Sequence, residues 1–439
     1  MRRVPLRKPG PGSDMQSPAR GRSWQSTLMM CVAAAGLVAA AEPAVAVAAV
    51  PDSFTQTNLV ANHAAPGAKL VDPNLTNAWG LAAGPATPIW VADNTSGFAT
   101  VYSGGINGGG VTLDLTVQVP GAPPTGQVVN PDTRAFPVGG ATGSPAVFIV
   151  DTDSLGSARP SGEIAAWNGG TKFVVEDSPT GGPGGTTPKG AAFLGLALAT
   201  TPKAGPELFA ADLANARVDV FNHNFAPVST PTQFKDPKLP AGYAPFGIQE
   251  LAGKIYVAYA KQNAAKNFVV PGAGRGVVDI YSVNGTLLHH LISNGSASPL
   301  NAPWGLAIAP KGFGPFAGDL LVGNFGNGRI NAFNPTTGAH LGVLDNAHGS
   351  PIVIDGLWAL RAGNSAFGGA SSVVFSAGPS FYANGLVGTL NPARVAVGQD
   401  TPVLAHGHSA GPWLRPKITA YSPNRNLRQA FGSQAAGPP

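Results

Sequence analysis

The chain has 439 residues, with 59 glycines and 42 prolines, and only 11% of it is charged. So little charge excludes a solvated helical protein, and the length suits a repeat architecture of short strands and turns better than one ordinary core. The formal charge of +5 sits at the ends: residues 49–390 hold 16 basic and 19 acidic side chains, which excludes the basic face of a nucleic-acid-binding domain.

Arg20 and Arg22 precede an uncharged apolar stretch over residues 28–41. Glu42 and Pro43 end it, and Ala44-Val45-Ala46 or Ala46-Val47-Ala48 supplies a small-x-small cleavage site. This is the pattern of a secretion signal over residues 1–48, with Met15 as a second start that gives a signal of ordinary length. From Thr27 to Ala41 there are 15 residues, short of the roughly 20 that span a bilayer. Export with cleavage is expected, to the cell envelope or beyond, with no membrane span left in the mature chain. Cys31, the one cysteine, lies inside the apolar stretch after Met30, where a lipidation site needs a small residue. The mature chain then has no cysteine, which excludes disulfides, thiol catalysis and thiolate metal sites.

Ser53 to Val60 reads as a strand. Beyond it one phrase recurs: an aromatic or Leu, a Gly, a short apolar strand, a turn, a second apolar strand usually ending in Asp or Asn, and a third strand ending in an aromatic. The copies begin at Trp79-Gly80-Leu81, at an unplaced first strand before Phe148-Ile149-Val150-Asp151, at Leu194-Gly195-Leu196, at Phe246-Gly247-Ile248, at Trp304-Gly305-Leu306 and at Gly356-Leu357-Trp358. Their second strands end at residues 93, 151, 212, 259, 324 and 377, with gaps of 58, 61, 47, 65 and 53. Each copy has room for one small antiparallel sheet, which cannot bury both faces alone. Stacking six of them into a closed ring leaves only short, protected edges. An all-β, six-bladed β-propeller over residues 49–390 is expected, with residues 53–60 as the outer strand of the last blade.

Particular phrases resemble the NHL repeat: Asp319-Leu320-Leu321-Val322-Gly323-Asn324 followed by Asn327-Gly328-Arg329-Ile330-Asn331-Ala332-Phe333, and Trp90-Val91-Ala92-Asp93. More narrowly, Asn77-Ala78-Trp79-Gly80, Ala241-Gly242-Tyr243-Ala244-Pro245-Phe246, Asn301-Ala302-Pro303-Trp304-Gly305 and Asp355-Gly356-Leu357-Trp358 resemble an uncharacterised bacterial family of exported propellers. That resemblance runs from about residue 53 to 390. It implies the fold and export, and no activity. The tail, residues 391–439, falls outside it, and its Pro, Gly and Arg content predicts disorder.

Six-bladed propellers include calcium-dependent lactonases and phosphotriesterase-like hydrolases. Their metal sits at the channel mouth on oxygen ligands, several from the residue before the inner-strand Gly. Here that position reads Trp79, Leu194, Phe246, Trp304 and Asp355. Asp355 alone offers a carboxylate, with Asn77 and Asn301 near the same rim, so a calcium-dependent hydrolase is the alternative reading and no cofactor is expected otherwise. The recurring acids Asp93, Asp151 and Asp212 read as turn braces, each accepting N–H groups after its strand. The eight histidines suggest no site; His289 and His290 are adjacent, so a strand sends them to opposite faces.

Two features favour binding. Trp79, Phe246 and Trp304, with Asp355, form a channel-rim set suited to stacking on an apolar or sugar ligand; the same aromatics would equally fill the channel. The long loop from Ala260 to Gly276 carries Lys261, Lys266 and Arg275. The leading expectation is a monomeric binding or interaction scaffold, for a small molecule, a glycan or a protein, rather than an enzyme.

Overall fold

The protein is described by a computed structural model over residues 53–64, 67–121, 123–153, 162–178, 185–186 and 190–393. The expected signal and nearly all of the tail lie outside the described residues. Six separate sheets follow one another along the chain, antiparallel except for two-residue parallel edge strands at Leu70–Val71 and Gly185–Thr186, with almost no helix among the described residues. Blade 1 is Ala78–Ala82, Ile89–Asp93, Phe98–Gly104 and Val111–Gln118. Blade 2 opens on Pro124–Val129, the strand the sequence did not place, and blade 3 on Phe193–Thr201. Blades 4, 5 and 6 open on Tyr243–Leu251, Pro303–Ile308 and Leu357–Ala362. Each opening strand packs against that of the next blade, and that of blade 6 returns to that of blade 1. The ring is closed.

Strand Phe54–Ala61 pairs antiparallel with Leu386–Pro392 and so supplies the fourth strand of blade 6. An early segment thereby clasps the last blade. Second strands such as Ile89–Asp93, Leu320–Asn324 and Val373–Ala377 are buried at every residue, because both their faces lie between blades; hence their nearly continuous apolar sequence.

All six inner strands break register at the same place, between Ala78 and Leu81, Pro124 and Gln127, Phe193 and Leu196, Pro245 and Gly247, Pro303 and Gly305, and Leu357 and Leu360. This shared bulge fixes the phase of the repeat. The position just after the residue where pairing breaks is Trp79, Thr125, Leu194, Phe246, Trp304 and Trp358. The next is Gly80, Gly126, Gly195, Gly247, Gly305 and, in blade 6, Ala359.

Two sequence alignments are corrected by this phase. Asp355 does not stand before a strand glycine. Gly356 has φ 65, as Asn77 has φ 52 and Ala302 φ 48; all three are left-handed residues that turn the chain into its inner strand. Trp358 takes the place assigned to Asp355. Likewise Thr152, not Asp151, corresponds to Asp93 and Asp212, since Thr152 pairs with Pro124 as Asp93 pairs with Ala78 and Asp212 with Phe193. Side chains alternate along a strand, so Asp151 faces the other way.

Candidate functional site

The bulge brings five of the six side chains that follow the break into one apolar cluster on the ring axis: Trp79, Leu194, Phe246, Trp304 and Trp358. Trp79 stacks on Trp358 with ring centroids 3.5 Å apart, and Trp304 meets both edge-on. Phe325 stacks on Trp358 at 4.4 Å, with Phe246 and Tyr382 around them. The indole N–H of Trp304 donates to Leu194 O at 2.8 Å and that of Trp358 to Asn77 Oδ1 at 3.1 Å. The expected rim aromatics thus lie buried on one another, as a plug at the end where the inner strands begin. Trp358 is its centre, and the sequence missed it because Ala359 replaces the marker glycine.

Below the plug the channel narrows to a space of about 10 Å³. The strand glycines explain this constriction. A methyl group on Gly80, Gly126, Gly247 or Gly305 would fall within 3 Å of the next blade's backbone, so only glycine lets the inner strands approach so closely.

Beyond the waist, at the end where the inner strands finish, the channel opens into a cup of about 330 Å³. Its polar lining is Gln127, Gln249, Glu250 and Arg361. Gln127 is 5% exposed, and neither atom of its amide has a hydrogen-bond partner among the described residues. Arg361 donates through Nη2 to Ala83 O and makes no ion pair among the described residues. Burial pulls its guanidinium below the usual range. A buried amide without a partner is costly, and a half-buried cation without a counter-charge gains from an anion that meets it. Gln127 and Gln249 stand on the solvent-ward ends of inner strands, a place the sequence reasoning did not weigh; a polar residue inside an otherwise apolar strand was the available signal.

The oxygen ligands of the calcium alternative do not assemble a metal site. Asn77 is buried, accepts from the Trp358 indole and donates to Asn94 Oδ1 at 3.0 Å. Asn301 Oδ1 accepts the Gly272 N–H at 2.6 Å. Asp355 is exposed and accepts the Ser380 N–H at 2.8 Å. Each is engaged by a different partner, so these residues do not fit a channel-mouth calcium.

The strand-end acids brace their turns in different ways. Asp212 accepts the N–H groups of Ala192 and Asn215, as Asn324 accepts that of Asn301. Asp93 accepts the Thr100 hydroxyl at 2.8 Å, and burial pushes its carboxyl well above the usual range. Asp151 reaches the inner strand, where it accepts from the Thr125 hydroxyl and the Gly126 N–H. Full burial pushes it up to about 7.

Among the described residues one grouping of three acids and histidines could hold a metal, and it lies in blade 4, away from the channel lining: Asp236, Asp279 and His290. His290 Nδ1 is 2.8 Å from Asp236 Oδ2 and 3.0 Å from Asp279 Oδ1. Both carboxylates are fully buried and the imidazole is 10% exposed. Burial, then the charge of Asp236, pushes Asp279 up to about 8. His289 and His290 do part company as expected of a strand, but His290 is engaged rather than solvated.

No family model matches the chain. It is 28% identical over 328 residues to "Uncharacterized protein R648" of Acanthamoeba polyphaga mimivirus, spanning 73% of this chain and 76% of that protein. It is 32% identical over 188 residues to "Uncharacterized protein L690" of the same virus, spanning 42% and 48%. Among solved structures, the soluble aldose sugar dehydrogenase of Escherichia coli superposes with a TM-score of 0.45 at 12% identity, covering 78% of this chain and 100% of that one. The protein is a six-bladed β-propeller with relatives among uncharacterised mimivirus proteins.

Proposed function

We propose that the protein is a binding scaffold whose ligand enters the cup at the open end of the channel, and that this ligand is a small anion bearing hydroxyl groups. The observation that carries the reading is Arg361, a half-buried cation without an ion-pair partner among the described residues, which lines the same cup as the unpaired amide of Gln127. A carboxylate or similar anion would answer Arg361 with charge-assisted bonds. Amides both donate and accept, so Gln127 and Gln249 match hydroxyl groups. The cup's volume suits a small molecule rather than a polymer.

Calorimetric titration with a panel of hydroxy acids and sugar acids, against their neutral counterparts, tests this. Binding of the acids alone is expected, weakened at least about tenfold by Arg361→Gln, the loss of roughly one charged hydrogen bond. Equal binding of neutral and acidic members, or an unchanged affinity in the folded variant, would sink the reading.

A further inference from the structure

The third strands of blades 3 and 4 carry an acid at the same ladder position. Asp219 stands two residues beyond Arg217, which pairs with Asp212; Asp279 stands two beyond Val277, which pairs with Tyr259. In blade 3 the guanidinium of Arg217 lies 2.8 Å from Asp219 and answers its charge. In blade 4 Val277 replaces that arginine, and a second carboxylate, Asp236, arrives from the connection between the blades. The blade 4 pocket therefore holds two buried carboxylates without the guanidinium that in blade 3 stands near both Asp212 and Asp219.

The atoms are also oriented as ligands. Each group has one donor turned inward and the other fixed from outside. Asp236 Oδ1 accepts the Lys238 N–H at 2.9 Å, leaving Oδ2 for the centre. Asp279 Oδ2 accepts the Tyr281 hydroxyl at 3.2 Å, and that hydroxyl meets Tyr259 at 2.7 Å. His290 Nε2 meets Ser293 Oγ at 2.9 Å, leaving Nδ1 for the centre. Asp279 Oδ1 is buried and receives no well-directed hydrogen bond, although Nδ1 is 3.0 Å away. Outer partners that fix the tautomer and aim the carboxylates are the normal surroundings of a metal.

We propose that Asp236 Oδ2, Asp279 Oδ1 and His290 Nδ1 bind one divalent transition-metal ion of the zinc class, which pins the blade 3–blade 4 connection to the outer strands of blade 4. Zinc bonds of about 2.0–2.2 Å set tetrahedral donors roughly 3.3 Å apart; the two carboxylate oxygens stand 2.8 and 3.0 Å from Nδ1, and all three donor atoms lie within 4.8 Å of one another, so small shifts bring them to that spacing. One imidazole beside two carboxylates favours such an ion over calcium. Binding displaces to solvent the proton held between Nδ1 and the two carboxylates, takes the Nδ1 lone pair so freed, and leaves the Nε2 proton on the Ser293 side. A second reading of the same atoms is a Ser293–His290–Asp236 nucleophile relay. It is less favoured because two carboxylates crowd Nδ1, whereas a relay uses one.

The test uses the full chain with His406→Gln and His408→Gln, so that tail histidines contribute nothing, stripped with EDTA and titrated with Zn²⁺. One ion per chain is expected, with a rise in melting temperature of more than about 3 °C at saturation. Asp236→Asn should weaken binding at least about tenfold. Co²⁺ absorption in the unsubstituted ligand set should report tetrahedral coordination, whether or not the variant folds. No Zn²⁺ binding, or equal affinity in folded Asp236→Asn, overturns the proposal. So does aryl-ester hydrolysis that EDTA leaves intact and Ser293→Ala abolishes, which would assign the cluster to the relay.

Discussion

Trp358 concentrates more of the axial packing than any neighbour in its cluster. It stacks on Trp79 and Phe325, meets Trp304 and Phe246 edge-on, and donates its indole N–H to Asn77. Replacing it with alanine leaves a cavity among rings drawn from several blades. Trp358→Ala should lose about 3–5 kcal/mol of stability by denaturant unfolding; a loss below about 1 kcal/mol would show that the plug is not a packed core. The sequence announced Trp79, Phe246 and Trp304 through the glycine that follows each. It hid Trp358 because Ala359 lacks that marker and Gly356 offers a false one. It also hid the cup, since nothing local shows that Gln127 and Arg361, from different blades, line one cavity.

At the scale of the element, the closing strand is the part whose placement depends on the two ends of the domain meeting. Phe54, Leu59 and Val60 on this strand are buried at 1% exposure or less. At about 1.5–3 kcal/mol for each large apolar side chain, its docking is worth roughly 5–9 kcal/mol. Starting the chain at residue 62 should therefore lower the melting temperature by more than about 10 °C. An unchanged melt would mean that blade 6 stands without its clasp. This strand was legible because a ring needs an outer strand to close its last blade. The first strand of blade 2 was not, because Thr125 and Gln127 interrupt its apolar pattern and Thr125 stands where other blades place a large apolar residue.

Across the whole molecule, burial of acids between blades makes stability fall as pH rises. Asp151 sits at about 7 when folded and near 4 when unfolded. Between those values the folded chain holds a proton that the unfolded chain has released, so ∂ΔG/∂pH is negative. The stabilisation is full below about pH 4 and is lost as pH rises through 7, at up to about 1.4 kcal/mol per unit. Melting in EDTA should be higher at pH 5 than at pH 8, and Asp151→Asn should flatten that slope; the opposite sign would mean that Asp151 is ionised in the fold. The sequence by itself determined the number of blades, the closing strand and four inner-strand glycines, Gly80, Gly195, Gly247 and Gly305, because these follow from local strand patterns that recur along the chain. Only the tertiary structure decided the phase of blade 6, the facing of Asp151, and which polar groups share the cup and the blade 4 cluster. Those depend on bulges and on distances between blades, which no local pattern encodes.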